Sequence, residues 1–141
     1  MSEQILRPAL AALAVTVHEG RVLLVRRRND PDRGIWGYPG GHVESGETAA
    51  AAAVRELQEE TAVTAEAVAT LGGLDLIGHH ADGSVKHHYY LVAVECRYCA
   101  GRPVADDDVD QAVWVPVADV LEHKIALSDH VDDLLRQVLD R

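Results

Sequence analysis

Three glutamates, Glu56, Glu59 and Glu60, stand three and four residues apart in the run Arg55-Glu56-Leu57-Gln58-Glu59-Glu60. On a helix these positions share one face, so the three carboxylates converge. Like charges on adjacent turns repel, and negative charge near a helix C-terminus opposes the helix dipole. Such a run is either a solvated acidic face, the usual fate of clustered charge, or the seat of a hard divalent cation held by oxygen ligands. The spacing alone favours the solvated face, and the decision rests on what lies upstream.

Upstream, residues 29–46 are rich in Gly, Pro and Asp and read as a long loop, a kind that is usually functional or disordered. Within it, Pro39-Gly40-Gly41 allows close approach of the backbone to a neighbour. A helix is expected from about Glu47 to Thr61, where alanines are followed by Val54, Leu57 and the acidic end. Residues 10–17 and 22–27 read as an antiparallel pair joined by His18-Glu19-Gly20. Residues 63–77 form one or two strands, Ala81-Asp82-Gly83-Ser84 a turn, and residues 86–98 a further strand. Residues 101–110 are a polar, acid-rich loop, and 112–115 a short strand stopped by Pro116. Ser128 can cap a last helix with Val131, Leu134, Leu135, Val138 and Leu139 on one face. Strands and helices mix without βαβ alternation or repeats, which predicts an α+β layered sandwich.

Composition narrows the chemistry. The 141 residues, 48% of them hydrophobic, suit one domain spanning residues 1–141. Lys and Arg number 13 against 23 Asp and Glu, for a net charge of -10, which excludes a binder of nucleic-acid backbones. A phosphate-bearing substrate would need recruited cations, and a carboxylate cluster with a metal would provide them. Two cysteines, Cys96 and Cys99, make no disulfide framework and suit a reducing cytoplasm. No apolar run reaches the roughly 18 residues of a membrane span. Residues 8–17 resemble the apolar part of a leader. However, Glu3 stands where a basic region belongs, and cleavage before His18 would part a strand from its partner.

Residues 41–63 resemble the Nudix box: a Gly, five residues, a Glu, seven residues, then Arg-Glu-apolar-x-Glu-Glu-x-Gly-apolar. Gly41, Glu47, Arg55, Glu56, Leu57, Glu59, Glu60 and Val63 all fall in register, far more than a lone glycine motif supplies. Ala62 departs, standing where the family has the Gly of a left-handed helix cap, at a cost of about 1 kcal/mol. The resemblance implies an α/β/α sandwich with a mixed central sheet. It also implies metal ligation by Glu56, Glu59, Glu60 and the Gly40 carbonyl, with Mg²⁺ or Mn²⁺ as the cofactor. Glu47 and Arg55 become orienting groups. Eight helical residues span about 12 Å, so Glu47 reaches Arg55 only from a loop folded back over the helix. The implied reaction is attack of water on a phosphorus of a nucleoside diphosphate linked to another group. Its general base is Glu59 or a carboxylate of Asp106, Asp107, Asp108 and Asp110.

The flanks at residues 26–28 and 36–39, and the run 87–116, are similar to short bacterial ADP-ribose pyrophosphatases, which implies ADP-ribose cleaved to AMP and ribose 5-phosphate. Many such enzymes carry an N-terminal strand-rich extension that helps form a dimer and its pocket. Here the first strand is expected near Leu10, so that pocket is not implied, and a homodimer stays open. Trp36 and Tyr38 can stack on a base, and Arg28, or its neighbours Arg26 and Arg27, can meet a phosphate. The plainer alternative is a loop anchor and a solvated strand end. Other readings are hydrolysis of a nucleoside triphosphate, dinucleoside polyphosphate or nucleotide sugar, or a nucleotide-binding regulator without activity. Zinc held by His79, His80, His87, His88, Cys96 and Cys99 is disfavoured, because strand residues three apart point to opposite faces.

Overall fold

Strand β1 (Ala9–His18) is buried on both faces, which makes it the axis of the sheet. Ala12 and Ala14 enter one core, and Val15 with half-buried Leu13 enters the other. The computed structural model describes residues 7–29 and 33–140. Glu3, used above against a leader, and positions 30–32 of the expected loop lie outside the described residues. A turn at Glu19 and Gly20, both with positive φ (52° and 76°), leads into β2 (Arg21–Arg27). Such paired positive φ values match the right-handed twist of a hairpin.

The expected loop contains two short strands, β3 (Trp36–Gly37) on β2 and β4 (Gly40–His42) on β1. In β4, Gly40 faces Leu13 and Gly41 faces Ala12, and a Cβ on Gly40 would overlap the Ala12 carbonyl oxygen. Helix α1 (Ala49–Thr61) starts two residues later than expected, because the Thr48 hydroxyl accepts the Ala51 N–H at 3.0 Å. The helix ends on Ala62, which adopts the left-handed conformation at φ 63°.

Strands β5 (Thr64–His79) and β6 (Val85–Ala100) form a long antiparallel arm, and β6 runs parallel to β1. Strand β7 (Val109–Pro116) is longer than expected and pairs with β2. A short α2 (Val117–Leu121), which the sequence reading omitted, and α3 (Val131–Leu139) complete the chain. Ser128 does not cap α3. Its N–H donates to the Trp36 carbonyl at 2.9 Å, and left-handed His130 precedes the helix. Leu139, placed on the buried face above, is 42% exposed.

Ala52, Ala53 and Leu57 of α1 pack on Ala12, Ala14 and Val94, while Val131, Leu134 and Leu135 of α3 pack on Val15, Val22 and Ala93. The mixed sheet therefore lies between α1 on one side and α2 with α3 on the other, an α+β sandwich as the sequence led us to expect. No helix among the described residues is long and apolar enough to cross a membrane.

Two substitutions test this scaffold in opposite directions. Ala62→Gly should raise unfolding free energy by about 1 kcal/mol by relieving the left-handed cap. Gly40→Ala should lower it by about 2 kcal/mol through overpacking against β1. Denaturant midpoints measure both.

Candidate active site

The acidic face of α1 is organised around one cation. The Arg55 guanidinium grips Glu47 with both ends of its fork, at 2.8 Å from Nε and 2.9 Å from Nη2. Its Nη1 reaches Glu56 at 3.0 Å and Glu59 at 3.2 Å, and Nη2 also donates to the His42 carbonyl at 3.0 Å. Glu47 lies before the Thr48 cap, in a turn where its own N–H donates to the Glu44 carbonyl at 2.9 Å. It thus reaches Arg55 from the folded-back lead-in, the arrangement that helical rise demanded. Arg55 holds the Glu47 carboxyl down to about 2, and the surrounding carboxylates push the guanidinium further above its usual range.

Glu60 is set apart from that network. It is only 7% exposed and accepts the Gly40 N–H at 3.1 Å. Burial pushes its carboxyl up to about 8, with further upward pressure from Glu56 and Asp108 and a counteracting pull from Arg27. Glu56 is also raised, chiefly by burial, and Asp107 adds to the effect. Gly41 explains how Glu56 fits: a Cβ there would sit 2.6–2.8 Å from the Glu56 carboxylate. The glycine pair is therefore the floor on which two of the three glutamates rest.

The acid-rich loop arrives through backbone bonds to the end of α1. Val104 N–H donates to the Thr61 carbonyl at 2.8 Å and Asp106 N–H to the Glu60 carbonyl at 3.1 Å. Asp110 is taken by Arg26 in a two-pronged pair at 2.8 and 3.0 Å, which lowers its carboxyl below the usual range. Asp106 accepts the Asp107 N–H at 2.7 Å, and Asp107 itself sits at φ 60°, a strained conformation for aspartate. Asp107 lies near enough to raise the Glu56 carboxyl, and Asp108 to raise that of Glu60.

The expected substrate residues are placed less favourably. Tyr38 is a correction: its ring is buried at 7% exposure, and its hydroxyl donates to the Val131 carbonyl at 2.6 Å, so it anchors α3 and offers no face to a base. Burial accordingly pushes its phenol well up. Trp36 packs half-buried against the α3-side core, with the Arg26 guanidinium 5.9 Å from its ring centroid. Arg28 Nη2 is engaged by the Val109 carbonyl at 3.1 Å. Sequence reasoning missed the His42 carbonyl, a backbone acceptor with no side-chain signature, and the proximity of Arg27 to Glu60. Cys96 is buried and Cys99 exposed, as opposite strand faces require.

A divalent metal suits this donor set in kind. All the groups are oxygen, and buried negative charge accumulates around Glu60, a burden a hard cation would lift. As the side chains lie, no three His, Cys, Asp or Glu residues among the described ones form a ready chelate. Glu56 and Glu59 are instead engaged by Arg55.

A family model for the NUDIX domain matches residues 6–136, and the chain belongs to the Nudix family. Nudix hydrolases generally use divalent metal ions. The chain is 28% identical over 130 residues to the ADP-ribose pyrophosphatase of Methanocaldococcus jannaschii, covering 89% of this chain and 75% of that protein. A MutT NUDIX hydrolase from Burkholderia pseudomallei superposes with a TM-score of 0.79 at 28% identity, over 94% of this chain and 98% of its own. The NUDIX domain of Shewanella oneidensis NrtR, complexed with ADP ribose, gives 0.76 at 28% identity, over 97% of this chain and 90% of its own.

The raised Glu60 carboxyl has a sign that can be measured. The folded chain holds this proton more tightly than the unfolded chain, so the stabilisation it brings is complete below the ordinary glutamate range. It is lost as pH rises through about 8. In chelator-treated protein, Glu60→Gln keeps an acceptor for the Gly40 N–H and cannot ionise. Its thermal midpoint should fall less than wild type between about pH 5 and about pH 8, ending several degrees higher. Scanning fluorimetry across that range decides, and matching profiles would remove Glu60 as a buried proton carrier.

Proposed function

We propose that this chain hydrolyses a phosphoanhydride in a nucleoside diphosphate linked to another moiety, with ADP-ribose cleaved to AMP and ribose 5-phosphate. The observation that carries this reading is the gathering of Glu56, Glu59 and Glu60 between the Gly40-Gly41 floor and Arg55. Two neighbours support the choice of substrate, the archaeal ADP-ribose pyrophosphatase and the NrtR domain complexed with ADP ribose. Residues 1–141 then act as one hydrolase domain, and two free cysteines suit a cytoplasmic setting.

In this reading Glu56, Glu59, Glu60 and the Gly40 carbonyl hold Mg²⁺, with Mn²⁺ as a substitute. The cation supplies charge neutralisation at the phosphate oxygens and lowers the pKa of the attacking water. Glu47 holds Arg55, and Arg55 in turn fixes the carboxylates, so both are positioning groups. Arg28 was the expected phosphate contact, with Arg26 and Arg27 as alternatives; Arg26 is paired with Asp110 and Arg28 Nη2 bonds the Val109 carbonyl, which supports Arg27, close enough to act on Glu60, as the one that meets a substrate phosphate. For the general base, Glu59 is tied to Arg55, and Asp107 is near enough to raise the Glu56 carboxyl, which supports Asp107 among the acidic-loop carboxylates. Water adds to phosphorus, the bridging P–O bond breaks, and the water proton passes to that carboxylate.

Turnover of ADP-ribose, diadenosine polyphosphates, nucleotide sugars, NADH and nucleoside triphosphates, with product analysis, tests the substrate. Glu59→Gln and Glu60→Gln should each lower kcat about 100-fold or more while both variants keep the wild-type far-ultraviolet circular dichroism spectrum. Near-normal turnover of both variants at saturating Mg²⁺ would sink this site. A wild-type protein that leaves every nucleotide intact would point instead to a binding regulator.

A further inference from the structure

With Tyr38 buried against α3, another aromatic row stands beside the glycine floor. The His42 and Tyr89 rings lie 5.4 Å apart between centroids, tilted by 31°, and Tyr89 and His87 lie 5.8 Å apart, tilted by 37°. His42 pairs with Ala11 and Tyr89 with Ala9, so the rings flank β1 where its side chains are single methyl groups. His42 is exposed and Tyr89 half-buried, and neither makes a side-chain hydrogen bond among the described residues. The row begins one residue from Gly41 and runs out along the β6 arm.

Alternation along β4 gives the row its meaning. Gly41 turns its bare Cα toward Glu56 under α1, so His42, one residue on, turns its ring to the opposite face of the sheet. Strand β4 is three residues long and pairs with β1, and its outer edge gives the Gly40 N–H to Glu60 and the His42 carbonyl to Arg55, so this edge joins the glutamates to the face that carries the rings. A dinucleotide-like substrate could keep its diphosphate at the glutamates and pass round this edge.

We propose that His42 and Tyr89 form the platform on which the substrate's nucleobase stacks, making Tyr89 a specificity-determining residue. The proposal rests on reading the site as a nucleotide hydrolase. Aromatic faces accept any base, so the platform selects for the presence of a base more than for its edge pattern. It discriminates AMP-bearing substrates from sugar phosphates that lack a base.

The test uses AMP and ribose 5-phosphate as probes in proton NMR, together with KM for ADP-ribose. AMP should shift the Tyr89 and His42 ring signals, and ribose 5-phosphate should leave them in place. Tyr89→Leu should weaken AMP binding and raise KM about 5- to 100-fold, with kcat nearly constant, while Tyr89→Phe keeps both near wild type. A protein that shows the AMP shifts but cleaves no ADP-ribose would overturn the hydrolase reading and leave the platform standing. The platform is overturned if AMP moves neither ring signal. A folded Tyr89→Leu variant whose AMP affinity and KM stay within about twofold of wild type overturns it as well.

Discussion

The forked pair between Arg55 and Glu47 is the contact on which the rest of the site depends. Helical spacing brings Glu56 and Glu59 together and makes them repel. Arg55 offsets that repulsion at 3.0 and 3.2 Å, and Glu47 keeps the guanidinium from swinging out to water. The same cation takes the His42 carbonyl, so the glycine strand and the helix are clamped at one point. A lysine could supply the charge but not the planar fork, which meets a carboxylate and a carbonyl at fixed angles.

Glu60 shows the opposite economy. It follows Ala53 and Leu57 on the inner face of α1, where a glutamate is rarely tolerated. A leucine there would pack without an ionisable group, so the retained carboxyl destabilises the scaffold at neutral pH in the absence of a cation. The Gly40 N–H satisfies one oxygen, and burial, then Glu56 and Asp108, push the carboxyl up. Cost of this kind concentrates at sites of function. Left-handed Asp107 and Ala62, at the two ends of the segment that straps the acidic loop to α1, add backbone strain in the same region.

Much of this was legible in the residues because it follows from helical geometry. The convergence of three glutamates follows from period and the folded-back Glu47 from rise, whereas the left-handed position of Ala62 was implied by the resemblance to the Nudix box. The parts that escaped have no period to read. Strands of two and three residues at β3 and β4 are too short to alternate, and the five-residue α2 is too short to show a face. Tyr38, beside Pro39 in a glycine-rich segment, looked exposed, yet the pairing of β3 with residues 126–128 draws its neighbourhood under α3. The acidic loop reaches the glutamates through backbone bonds, which leave no trace in side-chain identity. Burial of Glu60 did have a signal, its spacing of three and seven from Leu57 and Ala53, but the charge of the run masked it.

The function proposed above requires that this carboxylate cluster hold a divalent cation, and a cation held there would displace the proton that burial favours on Glu60. Calorimetric titration with Mg²⁺ near neutral pH, repeated in two buffers of different ionisation enthalpy, tests it most directly. The account predicts saturable binding with release of about one proton per cation, diminished in Glu60→Gln. Binding without proton release, or no binding at millimolar Mg²⁺, would contradict it.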